Sequence, residues 1–530
     1  MCIRDSMIQD PIVIRFDEDG RIWVVEMRGF MPNIDGDGED APVGRVSVLF
    51  DLNEDGVMDS STVFVDSLVL PRALAVVKGG ALVAEDAILW YFEDTNGDLR
   101  ADQKTLVDPE YGNKGAVEHS ANGLLRGMDN WIYNAKSKYR YRQVDGEWIK
   151  QETEFRGQWG ICHDNLGRLY YNYNWSQLHT DLVPPNYLSR NPNHQPSAGI
   201  DHSMSHDRRV FPIRSNRAIN RGYVEGTLDQ EGKIIEFASA CAPFIYRGHL
   251  LGEDMLGNAF VCEPTGNLVK RNLLSGTELN PVATNAYQEK EFLASTDERF
   301  RPVWLESGPD GALYIVDMYR GIVQHGPYMS PYLREITLER KLDQPINLGR
   351  IWRVVPDNQE VFIPPLKLSS TSSSKLVDLL AHDNGWYRDM AQRMLVDRSD
   401  DDITDALEHL VLTSTSQFAK LQALWTLEGL SYSDFDFFLK VLEDPDPQVK
   451  TATLRIMEQE AVKNPQGLQT LKRALQDPSL HLPELQVTLT AGCLNGADKH
   501  SLLLDILSRH PGSQVYRDAV MSSLYQEEYQ

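Results

Sequence analysis

A chain of 530 residues that is 42% hydrophobic is too long for one core and apolar enough to fill at least two, which sets disorder aside. Its 77 acidic against 52 basic side chains leave a formal net charge of -25, which favours solubility, repels nucleic-acid backbones and anionic membrane surfaces, and attracts divalent cations. No run approaches the roughly 20 apolar residues that cross a bilayer, and the start lacks the charged, apolar and small-residue order of a signal peptide.

The opening MCIRDSM runs straight into strand-like sequence, so residues 1–7 read as a non-native leader on a truncated start. From residue 11 to about 355 a polar turn rich in Asp, Asn and Gly precedes an alternating apolar strand six times: FDEDGRIWVVE, VKGGALVAED, GMDNWIYNAK, HDNLGRLYYN, LGNAFVCEPTGNL and GPDGALYIVD. Such turns supply the positive φ of tight hairpins, and the alternation after them suits half-buried strands. Six copies predict an all-β six-bladed propeller over 8–360, with four-stranded sheets arranged radially.

Within the early copies lie two acidic loops. Asp51, Asn53, Asp55 and Asp59 read D-x-N-x-D-G-x-x-D, and Asp94, Asn96, Asp98 and Asp102 repeat the spacing, which places oxygen ligands around a Gly-assisted turn as Ca²⁺ requires. Solvated hairpin turns favour the same residues. The cluster at 35–40 reads as a flexible loop. Glu118 and His119, with Asn122 beside them, precede the third hairpin, where a His can act as a general base. His163 and Asp164 take the comparable position in the next copy.

An irregular insert at 175–230, rich in His, Arg, Pro and Asn, interrupts the repeat, and long loops on a rigid scaffold carry function. Cys241 and Cys262 flank a segment that can form two neighbouring strands, which leaves a disulfide between them open. No C-x-x-C-H occurs, so no c-type haem is expected in this stretch. A Pro- and Ser-rich linker at 361–375 then gives way to helical periodicity. Leu380, Val411, Leu442, Leu475 and Leu507 recur every 31 to 33 residues, which predicts a HEAT/armadillo-like α-solenoid over 376–530.

The segment EHSANGLLRGMDNWIY resembles that of the soluble quinoprotein glucose and sorbosone dehydrogenases in which an acidic residue and the catalytic His precede the hairpin, and GPDGALYIVDMYRG resembles their late-blade signature. RVFPIRSNRAINRGYVEGTL, CAPFIYRG and ERFRPVWLESGPDGALYIVDMYRGIVQH are similar to the propeller-plus-HEAT membrane-bound dehydrogenases of planctomycete and verrucomicrobial type, often followed by a c-type cytochrome domain. The resemblance implies a periplasmic or secreted dehydrogenase that oxidises a sugar or related alcohol with pyrroloquinoline quinone and Ca²⁺. It implies His119 as the group that abstracts the hydride or proton and Glu118 as its support. Arg214, Arg217, Arg221 and Arg320 are nominated for the quinone carboxylates, and Asn122, His163, Asp164, Asp317 and Tyr319 for the channel mouth. The helices would dock a cytochrome c-type acceptor or another protein. The alternatives are a calcium-dependent propeller hydrolase such as a lactonase, and a binding scaffold without catalysis.

Overall fold

The computed structural model describes residues 2–3, 7–113, 116–357 and 366–528. The leader beyond Cys2–Ile3 and Met7, and positions 361–365 of the expected linker, lie outside the described residues.

Up to residue 357 the chain builds antiparallel sheets in chain order. Pro11–Phe16, Ile22–Glu26, Gly44–Phe50 and Ser60–Leu68 form the first. An eight-stranded sheet follows, made of two antiparallel halves that begin with Ala73–Val77 and Asn122–Arg126 and meet in one parallel contact, Gly123 beside Ala73. Cys162–His163 and Cys241–Ile245 open the next two sheets. The last runs Pro302–Ser307, Leu313–Asp317, Arg350–Val354, and Cys2–Ile3 pairs on its outer edge.

The hairpin turns share one chemistry. Asp17 caps the N–H groups of Asp19 and Arg21 and accepts from Trp23 Nε1. Asp164 caps Leu166 and Arg168 and accepts from the Tyr170 hydroxyl. Gly20 at φ 77° and Gly167 at φ 79° supply the left-handed residue of these turns. Asp164 is therefore a turn residue. At the other end of the first strands the ladder slips, between Pro11 and Val13, Asn122 and Leu125, Cys241 and Phe244, and Pro302 and Trp304. Bulges of this kind re-aim side chains at sheet ends.

The first strands pack on one another. Pro11–Phe16 lies between Ala73–Val77 and Pro302–Ser307, and Cys241–Ile245 lies between Cys162–His163 and Pro302–Ser307. Asn122 is buried between its neighbours, donating to the Gln158 carbonyl and accepting from the Gly160 N–H, so its role is to join strands. Arg15 fills the space between them: it donates to the carbonyls of Leu74, Gly123 and Leu124 and pairs with Glu306.

From Ser373 the described chain is helical, in ten α-helices that alternate between two rows. Gly385–Arg398, Gln417–Gly429, Pro447–Ala461, Glu484–Thr490 and Gln514–Ser523 form the row against the sheets. The expected anchors Leu380, Val411, Leu442, Leu475 and Leu507 fall in or at the end of helices of the outer row. Asn384, Ser416, Asp446 and Asn464 cap helix starts with their side chains, each worth about 1 kcal/mol.

Polar ties fix the inner row to the turn ends of the sheets. Asn384 donates to the Gly308 carbonyl (3.0 Å), Gln392 to Met128 (2.7 Å), and Asn130 to Trp425 (2.8 Å). Arg142 pairs with Glu428 at 2.6 Å, and Arg393 with Glu18. The insert joins in: the Tyr187 hydroxyl donates to Glu458 (2.9 Å), and the buried Asp518 carboxylate accepts from the N–H groups of Ser197 and Ala198. The helices therefore cover the end of the sheets where first and second strands turn.

Candidate functional site

At the opposite end, where the first strands begin, lies a cavity of about 560 Å³. Its floor comes from strand starts and the residues ahead of them, among them Ile12, Glu118, His119, Trp159, Cys241 and Val303. One wall comes from the insert and its continuation, including Arg208, Ile219, Arg221 and Phe237, and another from the stretch after Asp317, including Ile322, Gln324 and Tyr328.

Glu118 and His119 sit in a short 3-10 turn, Val117–His119, just ahead of the strand Asn122–Arg126. Burial pushes the Glu118 carboxyl up to about 7, although His325 and the Gln324 amide, which donates to Oε1 at 2.7 Å, pull the other way. The His119 ring packs edge-on against Tyr328, and burial holds it below the ordinary histidine range. The Gln158 amide nitrogen reaches the Glu118 carbonyl at 2.7 Å and His119 Nδ1 at 2.6 Å. A carbonyl can only accept, so the group facing it is the NH₂, and the same NH₂ then donates to Nδ1. The ring proton of neutral His119 is thereby assigned to Nε2.

Arg301 is the deepest cation of the cavity, 4% exposed. Its Nε donates to the Arg320 carbonyl (2.9 Å), Nη1 to Pro264 (2.7 Å) and Nη2 to Gly321 (2.9 Å). Among the described residues no carboxylate forms an ion pair with it, and burial lowers its guanidinium to about 10. Five N–H donors against three carbonyls leave donor capacity unused. Two further donors of the cavity residues, Trp159 Nε1 and Arg208 Nε, are buried without a hydrogen-bond partner in the described structure. Such a lining asks for a ligand rich in acceptors or negative charge.

Of the residues singled out from sequence, Glu118, His119, Arg221 and Cys241 line this cavity, as does Arg208 of the basic insert. Asp317 and Arg320 stand behind it: the Asp317 carboxylate accepts from the backbone N–H of Arg301 at 2.8 Å, and Arg320 itself pairs with buried Asp10 at 3.1 Å. Tyr319 donates to Asp297 (2.7 Å) and stacks under Arg350. Arg214 pairs with Glu298 at 2.9 Å, and Arg217 is exposed. His163 lies at the far end of its strand, 3.2 Å from Arg247 and 3.6 Å from Asp389 of the helical row, so it does not share a site with His119. Arg301, Trp159 and Gln158 were not anticipated. The one sequence signal for Arg301 is a basic residue directly before a strand start.

The acidic loops fold on themselves. Asp51 caps Asp55 and Gly56, Asp55 caps Val57, Asp94 caps Gly97 and Leu99, and Asp102 accepts from Thr95. Among the described residues no group of three His, Cys, Asp or Glu side chains is placed to hold one ion. The cluster at 35–40 is ordered rather than loose: Glu39 accepts from the Met31 N–H and meets His325 Nε2 at 2.7 Å. Cys241 and Cys262 face each other across paired strands as free thiols.

A family model described as a domain of unknown function, DUF7133, matches residues 2–358, the span of the sheets. The chain belongs to the DUF7133 family. A comparison with curated proteins finds no match. Among solved structures, the DUF7133 chain is similar to a protein from Thermus thermophilus assigned as an oxidoreductase (glucose dehydrogenase), at 12% identity, 67% of this chain, 99% of that one and a TM-score of 0.35. It is similar to the holo PQQ domain of pyranose dehydrogenase from Coprinopsis cinerea at 13% identity, over 60% and 92% of the two chains, with a TM-score of 0.31. For the apo soluble aldose sugar dehydrogenase of Escherichia coli the figures are 11%, 67%, 99% and 0.32.

Proposed function

We propose that the cavity is the redox site of a quinoprotein-type dehydrogenase that oxidises a sugar or related alcohol, outside the cytoplasm, on a six-bladed propeller backed by a HEAT-like solenoid. The packing of successive first strands around Arg15 supports the ring of blades, and the two rows of helices with anchors every 31 to 33 residues support the solenoid. The observation that carries the reaction is the meeting, in one cavity, of a proton-handling pair and unsaturated cationic donors.

Pyrroloquinoline quinone is planar and bears carboxylates and carbonyls, so Arg301, Arg221, Arg208 Nε and Trp159 Nε1 would hold it by their N–H groups, beside apolar lining residues such as Phe237 and Ile322. When bound, the quinone supplies the acceptor for the hydride leaving an alcohol carbon. Glu118, poised near 7, takes the hydroxyl proton, since a base works best with a pKa close to the working pH. His119 presents Nε2–H and orients the substrate oxygen by donation, which exchanges the two roles implied by resemblance. Buried Ile12 and Val303 make part of the floor apolar.

The test is reconstitution. The full chain mixed with the quinone, with and without Ca²⁺, is expected to change the quinone absorbance and to reduce an artificial acceptor with sugars, and Glu118→Gln to bind without turnover. No quinone binding in either condition would reject the reading. His119, His163, Asp317 and Arg320 do not meet in one cavity, which favours a second reading, a binding scaffold that takes an anionic ligand without chemistry. Saturable binding of carboxylate-bearing sugars with no turnover under any acceptor would support it.

A further inference from the structure

Two thiols, one at the cavity floor and one behind it, are unused by that reading. Cys241 opens the strand Cys241–Ile245 and is the register partner of Cys262 in the antiparallel strand Ala259–Glu263. Directly opposed residues in such a ladder have Cα atoms about 4.5 to 5.5 Å apart, inside the range that a disulfide spans. The two side chains lie within hydrogen-bonding reach of each other, and the Cys241 thiol also points at the Pro302 carbonyl, 3.9 Å away. Cys262 is fully buried, whereas Cys241, 6% exposed, is a lining residue of the cavity, the side from which a small molecule would approach the pair.

The backbone at this point is strained. Ala242 holds φ 46° at the bulge between Cys241 and Phe244, a left-handed conformation that costs an L-residue with a Cβ. It lies against Gly160, where an added Cβ would meet the Ala242 Cα at 2.7 Å, so the neighbouring sheet holds the bulge in place. The bulge sets the course of the strand as it leaves Cys241.

We propose that Cys241 and Cys262 form a dithiol site that reacts with small disulfides entering the cavity and closes to a cross-strand disulfide. A thiolate of Cys241 attacks one sulfur of the small disulfide and releases one small thiol. The Cys262 thiolate then attacks the mixed disulfide at Cys241 and releases the second. Two protein S–H bonds and one small-molecule S–S bond are lost, and one protein S–S and two small S–H bonds form, so electrons and protons balance. Burial holds the Cys241 thiol far from ionisation, which makes the first step slow at neutral pH and faster in base.

The experiment treats the native full chain with oxidised glutathione, quenches in acid, unfolds, and counts thiols alongside peptide mass mapping. The chain has five cysteines, so titratable thiols are expected to fall from five to three, with a mass loss of about 2 Da on the peptide pair that contains Cys241 and Cys262. The rate is expected to rise about tenfold per pH unit between about pH 7 and 9. Five thiols after exposure, glutathione left on Cys241 without closure, or a link that involves Cys162 or Cys493 would each overturn the proposal. Wild-type protein suffices, so no variant has to fold, and the quinone plays no part in the readout.

Discussion

The Gln158 amide nitrogen lies 2.6 Å from Nδ1 of His119, and this contact decides which ring nitrogen faces the cavity with a proton. Neutral His119 carries its hydrogen on Nε2, so ¹⁵N spectra of the ring are expected to show an unprotonated Nδ1. Gln158→Leu removes the donor and should mix the tautomers. Burial keeps the ring below the ordinary histidine range, so the unfolded chain binds more protons there, and this group's contribution to stability is lost as pH falls from about 6.5 through the folded value. An Nδ1–H signal in the wild type would remove His119 from its assigned part.

Glu118 works in the opposite sense. Its folded value of about 7 lies above the ordinary 4.5, so the folded protein binds the extra proton and stability declines as pH climbs through that window. The full shift amounts to about 3 kcal/mol as an order of magnitude. Glu118→Gln should flatten this slope and leave the variant more stable than wild type at about pH 8, measured by urea unfolding between about pH 5 and 8. Parallel curves would count against a raised Glu118.

Arg301→Met leaves the carbonyls of Pro264, Arg320 and Gly321 without their donors. A loss of roughly 3 kcal/mol is expected, together with loss of anion binding. Arg301→Lys cannot span three carbonyls set around a planar fork and should restore little of either. Recovery of ligand affinity by lysine would show that charge alone is enough.

Glu458 receives the Tyr187 hydroxyl and pairs with Arg190, both from the insert. Glu458→Ala strands a mostly buried guanidinium, which costs about 3 kcal/mol. Calorimetry should then resolve helices and sheets as two transitions in place of one. A single unshifted transition would mean that the tie contributes nothing.

Much of this architecture is written locally. The Asp17 and Asp164 turns announce themselves because the capping carboxylate, the left-handed Gly and the aromatic partner all lie within seven residues. The helical anchors are legible for the same reason, since period and caps are short-range. The site is less so. His163 looks equivalent to His119 in sequence, yet it ends its strand while His119 precedes one, and the two ends of a strand open on opposite mouths. Arg301 depends on carbonyls at 264, 320 and 321, a cradle that only the packing of neighbouring sheets assembles. The acidic loops show the converse: residue types that suit a cation also suit a turn, and here the carboxylates are turned onto their own backbone.

The helical row lies across the turn ends, and Arg15 fills the space between the first strands beneath it. A ligand held at His119 would therefore exchange through the mouth at the strand starts, and reactant, product and any exchange partner would share it. Traffic of this kind makes a spent ligand the natural competitor of the next one. It also sets the outer row of helices on the far side of the protein, remote from that opening.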